Sequence, residues 1–151
     1  MNTFRTLMTF LTGISTISAT QASGGGIDES LIRQLVTTAY FNGAFNDLDT
    51  DAMRNGFHTE FAIFSAEGVS LERYTITQWI NAIEHRKAAA DFDKQTAKRD
   101  CRIISVDVTG NSSAVKAEIF KDGRLLYTDY LSLLKFSNGW KIVGKVYFEQ
   151  P

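Results

Sequence analysis

The stretch that most constrains this chain runs from Arg124 to Phe148, RLLYTDYLSLLKFSNGWKIVGKVYF. Two apolar, aromatic-rich runs flank Ser137-Asn138-Gly139. Asn-Gly between such runs is the strongest short-range signal for a β-hairpin, because both residues tolerate positive φ. In the first run Leu125, Tyr127, Asp129, Leu131 and Leu133 share one face, and Leu126, Thr128, Tyr130, Ser132 and Leu134 share the other. Both faces are largely apolar, so both are expected to be covered. One carboxylate, Asp129, sits inside this run. If the strand is interior, that group must be paired, hydrogen-bonded or uncharged.

The remaining elements follow from cap and turn signals. Asp28 reads as an N-cap, with Ile27 and Ile32 at the staple positions. Ile32, Leu35, Val36, Ala39, Tyr40 and Gly43 then form an apolar stripe at helical spacing, widened by Phe41 and Phe45. A short second helix is expected from Asp51 to Asn55, with Gly56 as a left-handed cap. Phe57 to Ala66 and Val69 to Tyr74 read as a hairpin turned at Glu67-Gly68. Thr75-Ile76-Thr77-Gln78 is a capping box opening a third helix whose inner face carries Ile76, Trp79, Ile80 and Ile83. Ala88 to Lys98 reads as a polar loop. Arg102–Val108, Ala114–Phe120, Arg124–Phe136 and Trp140–Phe148 make a four-strand meander, with turns at Gly110-Asn111, Asp122-Gly123 and Asn138-Gly139. The order is helix, helix, hairpin, helix, meander: an α+β chain with one domain, as 151 residues allow.

These residues carry a resemblance. Tyr127-Thr128-Asp129-Tyr130-Leu131-Ser132-Leu133-Leu134-Lys135, the turn, Trp140-Lys141-Ile142-Val143 and Lys145-Val146-Tyr147 resemble the putative lumazine-binding family, within the nuclear transport factor 2-like superfamily. Tyr40-Phe41-Asn42-Gly43, Phe57-His58 and the hairpin ending at Tyr74 are similar in kind and order. The resemblance covers residues 27–148. It implies a cone-shaped α+β barrel, with three helices on a strongly curved six-strand mixed sheet that encloses a pocket. The superfamily includes ketosteroid isomerase, SnoaL-type polyketide cyclases and ligand-binding members without catalysis.

The N-terminus reads separately. Arg5 is followed by an apolar stretch of Leu7, Met8, Phe10, Leu11, Ile14 and Ile17, ending at Thr20-Gln21-Ala22. This pattern predicts a signal peptide over 1–22, cleaved after Ala22, with a flexible leader at 23–26, and hence a secreted or periplasmic protein. The stretch is too short and too polar to span a membrane. Net charge is −1 with no basic block, which argues against nucleic acid as a partner. Cys101 is the only cysteine, so no disulfide forms within the chain and no cysteine-based zinc site is expected. Two distant histidines make a metal site unexpected as well, and no cofactor motif is present.

No nucleophile elbow, His-Glu-x-x-His or phosphate loop occurs. Any site must therefore be assembled in space. The candidates are polar residues in apolar stretches, His58, Asp129 and Lys145, with Tyr40, Trp79, Tyr127 and Tyr147 as aromatic walls. His58 and Asp129 are the candidate general bases, and Tyr40, His58, Trp79, Tyr127 and Asp129 the candidate ligand-binding set. Each has a structural alternative: His58 and the aromatic rings as packing residues, and Asp129 tied to an amide, a tyrosine hydroxyl or Lys145. Strand alternation puts Lys145 on the face of Lys141 and Val143, from which it would snorkel to solvent. Three functions fit: binding of a small apolar or aromatic molecule in the cone, an isomerase- or cyclase-type reaction with Asp129 or His58 as base, or a structural or interaction domain whose cone is filled by its own side chains. A homodimer is expected, because three helices cover only one face of the sheet.

Overall fold

The computed structural model describes residues 24–151. The expected signal peptide and Ser23 lie outside the described residues. In chain order the elements are α1 (Gly24–Leu35), a π-helical continuation (Val36–Asn46), α2 (Thr50–Gly56), β1 (Phe57–Glu67), β2 (Ser70–Thr75), α3 (Ile76–Ala88), α4 (Lys94–Ala97), β3 (Asp100–Thr109), β4 (Ser112–Lys121), β5 (Arg124–Phe136) and β6 (Gly139–Glu149). The strands form one mixed sheet in the order β2-β1-β6-β5-β4-β3, with β1 parallel to β6 and every other pair antiparallel. The helices cover one face of this curved sheet, and the core lies between them, around Tyr40, Met53, Phe57, Phe61, Ile119, Leu131 and Ile142.

The turns form where the glycines require them. At Asp122-Gly123 both φ values are positive, 51° and 78°, as a two-residue hairpin turn between Lys121 and Arg124 needs. The capping box closes as written: Thr75 Oγ1 accepts from the Gln78 amide, and Gln78 Oε1 accepts from the Thr75 amide.

Three expectations are corrected. The first helix starts at Gly24, so Gly24–Gly26 are helical rather than leader, and Asp28 lies inside the helix rather than at its cap. Ile27 is 67% exposed, so no staple forms; the Asp28 carboxylate instead accepts from Lys135 Nζ at 2.7 Å and from Trp140 Nε1 at 2.9 Å. Gly56 is not a left-handed cap. It is there because the π-helical segment passes too close: a Cβ at that position would stand 2.2 Å from Ala39 Cβ. The polar loop after α3 holds one short helical turn, α4, capped by Asp93.

The curvature comes with extra residues. Ile104 in β3, Leu126 in β5 and Val143 in β6 each sit where the ladder shifts by one. Such bulges bend a strand and increase its twist. The bulge at Val143 also inverts the side-chain alternation that follows it, and this decides the site.

Candidate functional site

Before the bulge, β6 buries Trp140 and Ile142; after it, β6 buries Lys145. Strict alternation would have kept Lys145 outside, so the expectation that it snorkels is overturned. Its side chain is 8% exposed and lies beside Asp129, which is fully buried on the neighbouring strand. The ammonium stands 3.1 Å from Asp129 Oδ1, an ionic contact rather than a well-directed hydrogen bond. It also donates to the Tyr40 hydroxyl at 2.9 Å. Tyr40 is fully buried and in turn donates a short hydrogen bond to Asp129 Oδ2.

The π-helical winding helps to place Tyr40. With i→i+5 geometry, Tyr40 and Phe45 stand above one another, their ring centres 5.4 Å apart and edge-on. Tyr40, Phe45, Phe57, Phe61 and Trp79 form a continuous aromatic cluster, with Trp79 stacked over Phe61 at 6.2 Å. Lys145 Nζ lies 5.6 Å from the Trp79 ring centre, 5.1 Å from Tyr147 and 5.2 Å from Tyr40. A cation among such faces is held by the ring quadrupoles as well as by its counter-ion.

The electrostatics follow from burial. Desolvation pushes the Lys145 amine below its ordinary value, against the pull of Asp129. Burial, then the Asp129 charge, pushes the Tyr40 phenol well above its ordinary value, so it stays a donor at neutral pH. The Cys101 thiol, on the same face, is pushed up to about 12 by burial and by the charges of Asp100 and Asp129. The thiol is half-buried against the core, where it packs as a small hydrophobe.

Lys145 separates this buried pair from a cavity of about 540 Å³ at the open end of the cone. Phe45, Ile63, Tyr74, Trp79, Tyr127 and Tyr147 wall it, and Ser65, Glu72, Arg73, Gln78 and Glu149 add polar groups. Tyr127 lies edge-on to Tyr147 at 5.9 Å, and its hydroxyl meets Glu149 at 3.3 Å. The structure thus brings Tyr40, Trp79, Tyr127 and Asp129 together, with Trp79 and Tyr127 on the cavity wall and Tyr40 and Asp129 behind Lys145.

His58 is not among them. Its Nδ1 accepts from the Glu60 amide at 3.1 Å, its ring stacks on Phe136 at 5.0 Å, and it borders a separate depression beside α2 and α3. Lys145 is the site residue that alternation misplaces, and Gly144 was the available signal, since a glycine inside a strand often marks a bulge. Among the described residues, no three His, Cys, Asp or Glu side chains gather to hold a metal. Nor is any described helix long and apolar enough to cross a membrane.

Comparison with known proteins agrees with this architecture. A nuclear transport factor 2-like protein of unknown function from Silicibacter pomeroyi is 22% identical, covers 83% of this chain and 98% of its own, and superposes with a TM-score of 0.63. One from Shewanella baltica is 19% identical, with 83% and 96% covered and a TM-score of 0.64. One from Methylobacillus flagellatus is 22% identical, with 83% and 94% covered and a TM-score of 0.59. The fold is therefore that of the nuclear transport factor 2-like proteins. No curated protein sequence matches the chain. The sequence profile described as Putative lumazine-binding matches residues 28–148, most of the chain, and the chain belongs to that family.

Proposed function

We propose that this protein binds a small, flat, uncharged aromatic molecule in the cavity, with a hydrogen-bond acceptor of the ligand against Lys145. The observation that carries this reading is the placement of the amine. Lys145 Nζ borders the cavity between the Trp79 and Tyr147 rings, while Asp129 balances its charge from behind. A balanced ion pair favours a neutral acceptor, such as a ring carbonyl, over a second anion. The family's name points to lumazine, a flat heteroaromatic dione, which is a molecule of this kind. Binding is favoured over base catalysis by Asp129, because Tyr40 and Lys145 stand between that carboxylate and the cavity. His58 borders a different depression and is not part of this reading.

The test is a fluorescence titration with lumazine, reading the two tryptophans. Saturable quenching that persists in Trp140→Phe and disappears in Trp79→Phe supports the reading. Quenching that follows Trp140 instead, or no saturation in the millimolar range (weaker than about −4 kcal/mol), overturns it.

Two further features belong to this proposal. The first is a homodimer through the face of the sheet away from the helices, where Tyr130, Val146 and Phe148 are at least half exposed. Adjacent exposed apolar side chains of this kind favour association. Sedimentation of a monomer at micromolar concentration overturns it. The second is export, motivated by the apolar stretch before Ala22. A mature N-terminus at Ser23 in protein from the native host supports it, and an intact Met1 in cytosolic material overturns it.

A further inference from the structure

Among the described residues, Lys145 is the only amine bordering the cavity, and its surroundings are unusual for a lysine that merely balances charge. Its stem is buried, its nitrogen is held among three aromatic faces, and two fully buried oxygen groups lie behind it. We propose that Lys145 captures aromatic aldehydes or ketones covalently, as a reversible imine at Nζ. This deepens the binding reading above and rests on it.

The chemistry balances within the residues present. The ammonium first passes a proton along its hydrogen bond to the Tyr40 hydroxyl, which passes its own to Asp129 Oδ2, leaving a neutral amine and a neutral acid. The nitrogen lone pair then attacks the carbonyl carbon: the C–N bond forms, and the C=O π pair moves to oxygen. A proton from nitrogen reaches that oxygen through water in the open cavity, giving a carbinolamine. The proton on Asp129 returns through Tyr40 to the nitrogen and passes by the same water to the hydroxyl, which leaves as water while the nitrogen lone pair forms the C=N bond of the protonated imine. Asp129, again a carboxylate, is its counter-ion. The net change is ammonium plus carbonyl to iminium plus water, with one positive charge on each side.

Tyr40 and Asp129 do not border the cavity and act through the nitrogen, so both are positioning residues. Tyr40 spans the pair, accepting from Lys145 Nζ and donating to Asp129 Oδ2. It keeps the carboxylate aimed at the nitrogen while the aromatic walls hold the carbonyl carbon near it. A nucleophile fixed in this way gains from proximity over a free surface lysine. The lowered basicity of Lys145 acts in the same direction, because it raises the fraction present as free amine.

The experiment uses 2-naphthaldehyde with cyanoborohydride, followed by peptide mapping, and 2-naphthalenemethanol as the matched ligand without a carbonyl. The expected result is one naphthylmethyl group on Lys145, appearing about tenfold or more faster than on any exposed lysine and slowed by the alcohol. Asp129→Asn is expected to slow that trapping by a larger factor than it weakens the alcohol, whereas a merely structural role would move both alike. Lys145→Arg keeps the cation but has no amine nucleophile, and is expected to lose the adduct; the alcohol's affinity is read on the wild type. Should Lys145→Arg fail to fold, the wild-type peptide map still locates the adduct. Binding of the alcohol with the aldehyde trapped only on exposed lysines overturns the imine and leaves the binding reading standing. Failure of the alcohol to bind, with no adduct at Lys145, overturns both.

Discussion

Two aspartate–lysine pairs in this molecule have the same chemistry and different consequences. Asp28 and Lys135 meet at 2.7 Å, with side chains 16% and 44% exposed. Asp129 and Lys145 meet at 3.1 Å, with side chains 0% and 8% exposed. The shorter contact is the one that matters less. At this half-exposed pair, water still reaches the Lys135 ammonium and Trp140 shares the Asp28 carboxylate, so the ion pair adds little beyond holding α1 to the β5–β6 hairpin. In the core, each charge depends on the other, because beyond its partner only the Tyr40 hydroxyl and, for the lysine, the ring faces stand in for water. Separation does not rank ion pairs; what lies around them does.

The largest effect that would test this contrast is Lys145→Met. It leaves Asp129 buried with only the Tyr40 hydroxyl as partner, and the expected loss is about 3–5 kcal/mol in urea unfolding. A loss indistinguishable from that of a surface substitution would break the comparison. The next effect is a rescue. Asp129→Asn combined with Lys145→Met removes both charges and leaves Tyr40 an acceptor for its hydroxyl. It is expected to regain about 2 kcal/mol or more of what Lys145→Met loses, the coupling typical of groups in one network. A double variant no more stable than Lys145→Met would mean that lost packing, not the stranded charge, causes the damage. Smaller again is Lys135→Met, whose expected cost is roughly a fifth or less of that of Lys145→Met. Near 1 M salt, that small cost should shrink further, while the cost at the buried pair stays.

The sequence showed these two regions unequally. The strands and their turns were legible because Asp122-Gly123 and the other turn pairs demand particular backbone angles, and the capping box at Thr75 fixed where α3 begins. Asp129 was legible as an odd carboxylate in an apolar run, with a tyrosine and Lys145 already among its possible partners. The side on which Lys145 stands was not, because the period of a strand is two and the one extra residue at Val143 reverses it. Nor was the role of Asp28. It has the residue type and neighbours of an N-cap, yet the helix extends to Gly24 and its carboxylate binds across to Trp140 and Lys135 instead. Tyr40 was visible as a helix residue on an apolar stripe. Its edge-on contact with Phe45 depends on π-helical winding, which no local propensity in Val36–Asn46 announces.

The smallest expected effect concerns the surface pair at low pH, and its sign follows from linkage. Hydrogen bonds from Lys135 and then from Trp140 hold the Asp28 carboxyl below its ordinary value of 3.8. Between those two values the unfolded chain binds more protons at this site than the folded one, so stability rises with pH across that window. The contribution of Asp28 is therefore fully present above its unfolded value and is lost as pH falls through the folded one. Asp28→Asn keeps an acceptor for Trp140 but has no carboxyl to titrate. Urea midpoints of wild type and Asp28→Asn should differ most near neutral pH and converge on the acid side of 3.8. The gap should be smaller than that of any substitution at Asp129 or Lys145. A gap that stays constant through the acid range would show that the carboxyl is not held by its charge. The link between α1 and the β5–β6 hairpin would then rest on the Trp140 contact, which survives the substitution.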